Sequence, residues 1–386
     1  MIDFIPLVDY TPFFNYSILI LVLIAFWQCN TGIALHKNIV SMNAVWGILF
    51  TLLLIFYMGL RPVSSVFGDT INYANGFYEI QRSSEPFIWT WETDWLFYNL
   101  HAWFAKYSDI HTFFLLCAFI YVGSLWLAMQ RIFKSYYYIP LLVIFSMFTF
   151  WSYGVNGVRN GMGASVFILA MTYINRLPIA ILLSSIAIGF HKSCLLMAGA
   201  AIIAWFIKNS YLYLLSWIGC VGISYGAGMR IQSYLATLGI FGEDERFSGY
   251  LTGSNMVGEI VQMSMVFRWD YLIYSAMGVF VGYYFIFRRN FRDEYYHWLY
   301  NTFLITNAFW VLVIRSAYSN RFAQISWFIM PIILIYPLMK QRFWQNHEKI
   351  LGAALLIFYS FAFYYNIIKG QRMRTAESYP ISFGIL

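Results

Sequence analysis

The chain has 386 residues, of which 61% are hydrophobic, 22% aromatic and only 11% charged. That composition excludes a water-soluble fold, which carries about a quarter of its residues as charges. The formal net charge of +7 is spread over the links between apolar stretches, which argues against a nucleic-acid stripe and for lipid head groups and anionic lipid-linked substrates.

The first sixteen residues hold Asp3 and Asp9 but no Lys or Arg. A cleaved leader needs a basic segment ahead of its apolar core, so the first apolar stretch is expected to be a retained span. A span needs about 20 apolar residues to cross about 30 Å of hydrocarbon. On that criterion the sequence predicts an all-α polytopic membrane protein, a single integral membrane domain over 1–386. Twelve spans are expected, at 16–35, 41–60, 110–130, 138–154, 160–174, 178–190, 193–207, 210–228, 270–287, 298–314, 321–339 and 349–368.

Two links are too long and polar to be tight turns. Residues 61–109 are rich in Trp and acids and include a predicted interfacial helix at 94–107. Residues 229–269 contain Gly242, Gly249, Gly253 and Gly258 and read as a lid or acceptor platform with hinge freedom. Lys and Arg resist translocation. Placing the basic links, such as that of Arg288, Arg289 and Arg292, in the cytoplasm puts both long links and both termini outside. Cys29, Cys117, Cys194 and Cys220 have no paired or metal-ligand spacing and are expected to be buried and inert.

The central spans 160–174, 178–190 and 193–207 are short and rich in Gly, Ala and Ser. At 1.5 Å per residue a 15-residue helix reaches only about 22 Å, which leaves a dent in the membrane face. Around that dent stand Arg159, at the outer start of one span, and His191 with Lys192, in the turn between two others. Ionisable groups at membrane depth are costly unless they face a cavity or a partner. Snorkelling at a span end is the plain alternative and the favoured reading for Lys192. Arg159, flanked by Asn156, Gly157, Asn160 and Gly161, is read as functional. Two further outer stretches join the set. RPVSSVFGDTINYANGF from Arg61 adds Asp69, Asn72 and Tyr73, and RSAYSNRF from Arg315 adds Tyr318, Asn320 and Arg321. Several guanidinium groups converging on one site suit a diphosphate, because each donates paired, charge-assisted hydrogen bonds to phosphate oxygens.

The same stretches carry a resemblance. GDTINY after an outer Arg, RNGMGASVFILAMTYI before a short span ending GFHKSCLLM, and RSAYSNRFAQISWFIMP near the end resemble the EpsG group of Wzy-type bacterial polysaccharide polymerases, over most of the chain. Family members usually read Arg-Gln where this chain has Arg159 and Asn160. The resemblance implies a GT-C-like membrane glycosyltransferase with two larger periplasmic loops, in a bacterial cytoplasmic (inner) membrane and with its active site facing outward. It also implies the substrate, oligosaccharide repeat units on undecaprenyl diphosphate joined into an O-antigen or exopolysaccharide. A chain-length regulator and a flippase of the same pathway are the implied partners.

In such a reaction a sugar hydroxyl attacks the anomeric carbon and the lipid diphosphate leaves. The leaving group is a stable anion, so cations beside it matter more than a strong acid. Arg159, Arg315 and Arg321, then Arg61, are the candidates, with Tyr73, Lys192, Arg246, Tyr250, Tyr318 and Asn320 as further binding residues. His191 suits the base by its ordinary pKa of about 6.5, and Asp69 is its rival. Glu92 with Asp94, and Glu243-Asp244-Glu245, are the acid groupings a metal would use. Both are read as solvated faces, so no metal and no cofactor is expected. Trp89, Trp91, Trp95, Trp103 and Tyr107 read as an interface belt. Sugar stacking by Trp95, Tyr98, His101 and Trp103 is the alternative, although His101 and His111 are read as structural. Two rival functions remain. A flippase would move the same saccharide without chemistry, but no duplicated halves are visible. An O-antigen ligase would use nearly the same chemistry as a polymerase.

Overall fold

The computed structural model describes residues 2–237, 266–316 and 319–369, and among these the regular structure is helical with no strand. The chain divides into two compact units, Met1–Lys192 with Arg342–Leu386, and Ser193–Gln341. The first holds α1 (Tyr10–Asn30), α2 (Lys37–Gly59), α3 (Thr70–Arg82), α4 (Trp95–Tyr107), α5 (Ile110–Phe133), α6 (Tyr138–Phe145), α7 (Phe150–Val155), α8 (Val158–Met171) and α9 (Leu177–Phe190). The second holds α10 (Cys194–Phe206), α11 (Ser210–Thr237), α12 (Trp269–Tyr283), α13 (Glu294–Leu312), α14 (Ser319–Trp327) and α15 (Met330–Lys340). The last helix, α16 (His347–Phe363), returns to the first unit and packs on α1.

Among the described residues, seven helical segments are long and apolar enough to cross a membrane: Leu7–Asn30, Lys37–Gly59, Ile110–Tyr136, Ser210–Leu235, Trp269–Arg288, Ser319–Lys340 and His347–Ile368. Of the twelve expected spans, the others do not meet that criterion as single helices. Three expected spans are the short apolar helices α8, α9 and α10. The expected span 138–154 is two helices, α6 and α7, parted at Ser146–Thr149. Met147 and Phe148 within the break keep the stretch apolar by composition. The expected span 298–314 is α13, whose buried face carries Asn301, Thr302, Thr306 and Asn307 and so lowers its hydropathy. Within Ser319–Lys340 the helix steps from α14 to α15 just ahead of Pro331, where the missing N–H and the ring disfavour continuation.

In hydrocarbon an unpaired polar group is costly, so buried amides and hydroxyls find one another. Gln28 of α1 and Asn43 of α2 exchange two amide hydrogen bonds, at 3.2 and 2.8 Å. α2 and α5 approach so closely that a Cβ at Gly59 would lie 2.6 Å from Leu115 Cα.

Arg61 follows directly on α2 and is only 1% exposed. Its Nη1 donates to Met58 O at 2.5 Å, and its Nη2 donates to Thr70 Oγ1 at 2.9 Å and to Val155 O at 3.2 Å. The ring of Phe114 lies 4.4 Å from the guanidinium carbon. Burial pulls its pKa down to about 10, which still leaves it charged at neutral pH. Arg61 therefore ties the end of α2, the start of α3 and the end of α7 into one corner. The side chain expected to face a diphosphate is instead enclosed by the protein's own oxygens. Arg61→Met should strip Met58 O and Val155 O of a charged donor and destabilise the detergent-solubilised protein by about 2–4 kcal/mol. A thermal midpoint equal to that of the parent would refute the corner's structural role.

Candidate active site

The loop ahead of α4 is closed by Asn99, which accepts the Thr90 N–H at 3.0 Å and donates to Thr90 O and Trp95 O, each at 2.7 Å. α4 buries Phe97, Asn99, His101 and Ala105, and leaves Tyr98, Trp103 and Tyr107 exposed. His101 pairs through Nε2 with Tyr73 O at 2.9 Å and packs on Phe77, Phe97 and Phe113. Burial lowers its pKa, opposed by that carbonyl, so its place is in the packing. Trp89, Trp91 and Trp95 stack together with centroids 4.8–5.8 Å apart. Trp91 is 75% exposed, as an interface anchor would be. Trp95 and Leu96 press on α9, where a Cβ at Gly189 would lie 2.9 Å from the indole. The start of α4 thus abuts the end of α9, two residues before His191.

Arg159 stands in the first turn of α8. Its Nη1 donates to Asp94 Oδ2 at 2.7 Å and to the Tyr98 hydroxyl at 2.8 Å, and its guanidinium carbon lies 5.1 Å from the Tyr98 ring centre. The Tyr73 phenol is a close electrostatic neighbour of the guanidinium. The side chain of Asp94 is 4% exposed and that of Arg159 is 22% exposed. Oδ1 of the same carboxylate accepts the Lys192 N–H at 2.8 Å. Arg159 and the His191–Lys192 turn are therefore joined through one buried oxygen pair. His191 ends α9 with an extended backbone, and both its side chain and that of Lys192 are partly exposed.

Asp69 opens α3. Its backbone N–H donates to Asn156 Oδ1 at 2.8 Å, and its Oδ1 accepts from Asn72 at 3.2 Å. Gly68 before it has φ +62°, and a Cβ there would meet Asn156 Oδ1 at 2.4 Å. Only glycine fits this turn on both counts. Tyr73, one turn on, has its pKa raised by burial, and Asp69 is near enough to add to that rise while Arg159 opposes it. Asp69, Tyr73 and Arg159 are thus electrostatic neighbours, with Arg61 enclosed behind them at Thr70.

In the second unit, Arg315 is half-buried, with its guanidinium carbon 5.2 Å from the ring centre of Phe267. A Cβ at Gly228 would lie 3.4 Å from Arg315 Nε. Asn320 is half-buried and Arg321 exposed in the first turn of α14, which is anchored by a 2.9 Å hydrogen bond from Trp310 Nε1 to Ser319 Oγ. Arg246, Tyr250 and Tyr318, and the acids Glu243, Asp244 and Glu245, lie outside the described residues, as does most of the expected lid.

Sequence reasoning missed Asp94 and gave Tyr98 a lesser role. Asp94 had been grouped with Glu92 as a solvated face; Glu92 is exposed but Asp94 is buried. Among the described residues no group of three or more His, Cys, Asp or Glu side chains is arranged to hold a metal.

The family model that matches the chain is that of the EpsG family, over residues 44–381. No curated protein and no solved structure matches it. Gly68→Ala should push Asn156 off the Asp69 N–H and strain a left-handed residue, at a cost of about 1–3 kcal/mol. An unshifted thermal midpoint of the purified protein would show that the corner tolerates the side chain.

Proposed function

The chain belongs to the EpsG family, a family of polysaccharide polymerase-like membrane proteins, and on that premise we propose that it joins lipid-diphosphate-linked oligosaccharide repeat units into a surface polysaccharide. The observation that supports this reading is the Asp94–Arg159 pair fastened to the His191 turn. A guanidinium held in one orientation beside an imidazole-bearing turn is what glycosyl transfer from a diphosphate requires.

In the proposed reaction a hydroxyl of the acceptor sugar attacks the anomeric carbon of the donor glycan. The new C–O bond forms as the bond from that carbon to the diphosphate oxygen breaks, and the electron pair leaves with the lipid diphosphate. Arg159 and Lys192 stabilise the charge that grows on the departing oxygens. The proton of the attacking hydroxyl passes to His191, with Asp69 as the competing base. The carrier is assigned as undecaprenyl diphosphate, the membrane as the bacterial cytoplasmic membrane and the reacting face as the outer one.

The test is the size ladder of surface glycan in a host with this gene deleted and then restored. Single repeat units outside the cell, returning to a ladder on restoration, are the expected result. Lipid-linked units trapped in the cytoplasmic leaflet would point to a flippase instead. Restoration with Arg159→Ala should slow extension by about 10²–10³, with membrane protein level unchanged. His191→Ala should abolish the ladder while Asp69→Asn only shortens it. A full ladder from His191→Ala would move the base to Asp69.

A further inference from the structure

Asp94 takes no part in the chemistry just described, yet the parts meet on it. Its backbone is left-handed, with φ 58° and ψ 33°, a conformation that apart from glycine only Asn and Asp adopt with any ease. It sits at the N-cap of α4, where a carboxylate normally accepts the first free N–H groups of its own helix, and it makes no such bond. Instead the side chain turns away and is buried, with one oxygen on Arg159 and the other on the Lys192 N–H. Burying a carboxylate, giving up a cap and holding a strained backbone each cost stability. The compensation is local: one carboxylate fixes the guanidinium at the start of α8 and the turn at the end of α9. Trp95, the next residue, completes the fixation by packing on Gly189.

We infer that Asp94 is a positioning residue that aims the Arg159 guanidinium and holds the His191–Lys192 turn, so that together they receive the diphosphate of a lipid-linked glycan. The identity of the ligand rests on the polymerase reading; the anion site does not. A free Arg side chain loses rotamer freedom when it is ordered. Asp94 orders it before the ligand arrives. The carboxylate also offsets the charge of Arg159, so its contribution is one of geometry rather than of net attraction.

Arginine-selective modification by phenylglyoxal, read peptide by peptide on the full-length protein in detergent, tests this with inorganic pyrophosphate as the probe. In the parent, Arg159 should react slowly and pyrophosphate should slow it further. Asp94→Asn tolerates the left-handed backbone but removes the charge and one of the two acceptors. In that variant Arg159 should react about tenfold faster or more and lose its protection by pyrophosphate. Arg61, enclosed in its corner, reports on folding and should stay unreactive in both. Where Arg61 becomes reactive as well, Asp94→Glu replaces Asp94→Asn. That variant keeps the charge but moves it by one methylene, and the same two criteria apply. Reaction rates and protection within twofold of the parent, or a parent that pyrophosphate does not protect, overturn the inference. The glycan ladder separates the two readings. Protection of Arg159 without a ladder in the restored host would sink the polymerase and leave the anion site standing. A ladder unchanged in rate by Asp94→Asn would sink the positioning role. In a purified assay kcat/KM should fall about tenfold or more, with KM rising as the ordered diphosphate site is lost.

Discussion

A guanidinium withdrawn from water must find oxygen, and the first unit is arranged around how two of them do so. Arg61 finds carbonyls, at Met58 and Val155, together with the Thr70 hydroxyl. Arg159 finds a carboxylate and the phenol of Tyr98. In a lipid environment neither can be left to solvent, so each fixes the segments that carry its partners. Arg61 fastens α2, α3 and α7. Arg159 fastens α8 to α4 and, through the second oxygen of Asp94, to the turn after α9. Glycines make these joints possible where backbones or bulky side chains come close, as at Gly59 on Leu115, Gly68 on Asn156 and Gly189 on Trp95.

Much of this was legible in the chain. Composition alone identified a membrane protein, and the short Gly- and Ala-rich helices α8, α9 and α10 were visible from spacing. The nearness of Arg159 to the His191–Lys192 turn followed from expecting both at the same end of short helices. What sequence could not supply was the partner. A carboxylate at position 94 belongs to a link 65 residues from Arg159, and nothing local says that an acid in a polar, Trp-rich segment turns inward. Arg61 shows the same limit from the other side. It begins a polar stretch at a span end, as a ligand-binding Arg would, but the ring of Phe114 and the Val155 carbonyl that enclose it come from distant helices.

Span counting failed for related reasons. Hydropathy averages over a window and does not register a break whose residues are themselves apolar or small. α6 and α7 part at Ser146–Thr149 within a stretch that counts as one apolar run. α13 presents the reverse case. It is 19 residues long and mostly buried, and among the aromatic and aliphatic residues of its buried face stand Asn301, Thr302, Thr306 and Asn307. Asn307 shows what that face is for: it accepts from Trp217 of α11 and donates to Ser326 of α14, at 2.8 Å each. Polar residues there join helices that have no hydrophobic reason to prefer one another in lipid.

The contrast between the two arginines also bears on where chemistry can occur. Backbone carbonyls cannot be displaced without undoing helices, so a guanidinium held by them is committed to the fold. A carboxylate and a tyrosine hydroxyl are side-chain partners, able to shift by a rotamer, and the side chain they hold is 22% exposed. Charge-assisted bonds to phosphate oxygens are of the same kind as the bond to Asp94, so an arriving diphosphate would join or exchange with partners that Arg159 already has rather than strip it from a helix end. Of two Arg residues that look alike on the chain, the one with replaceable partners is the one a substrate can engage.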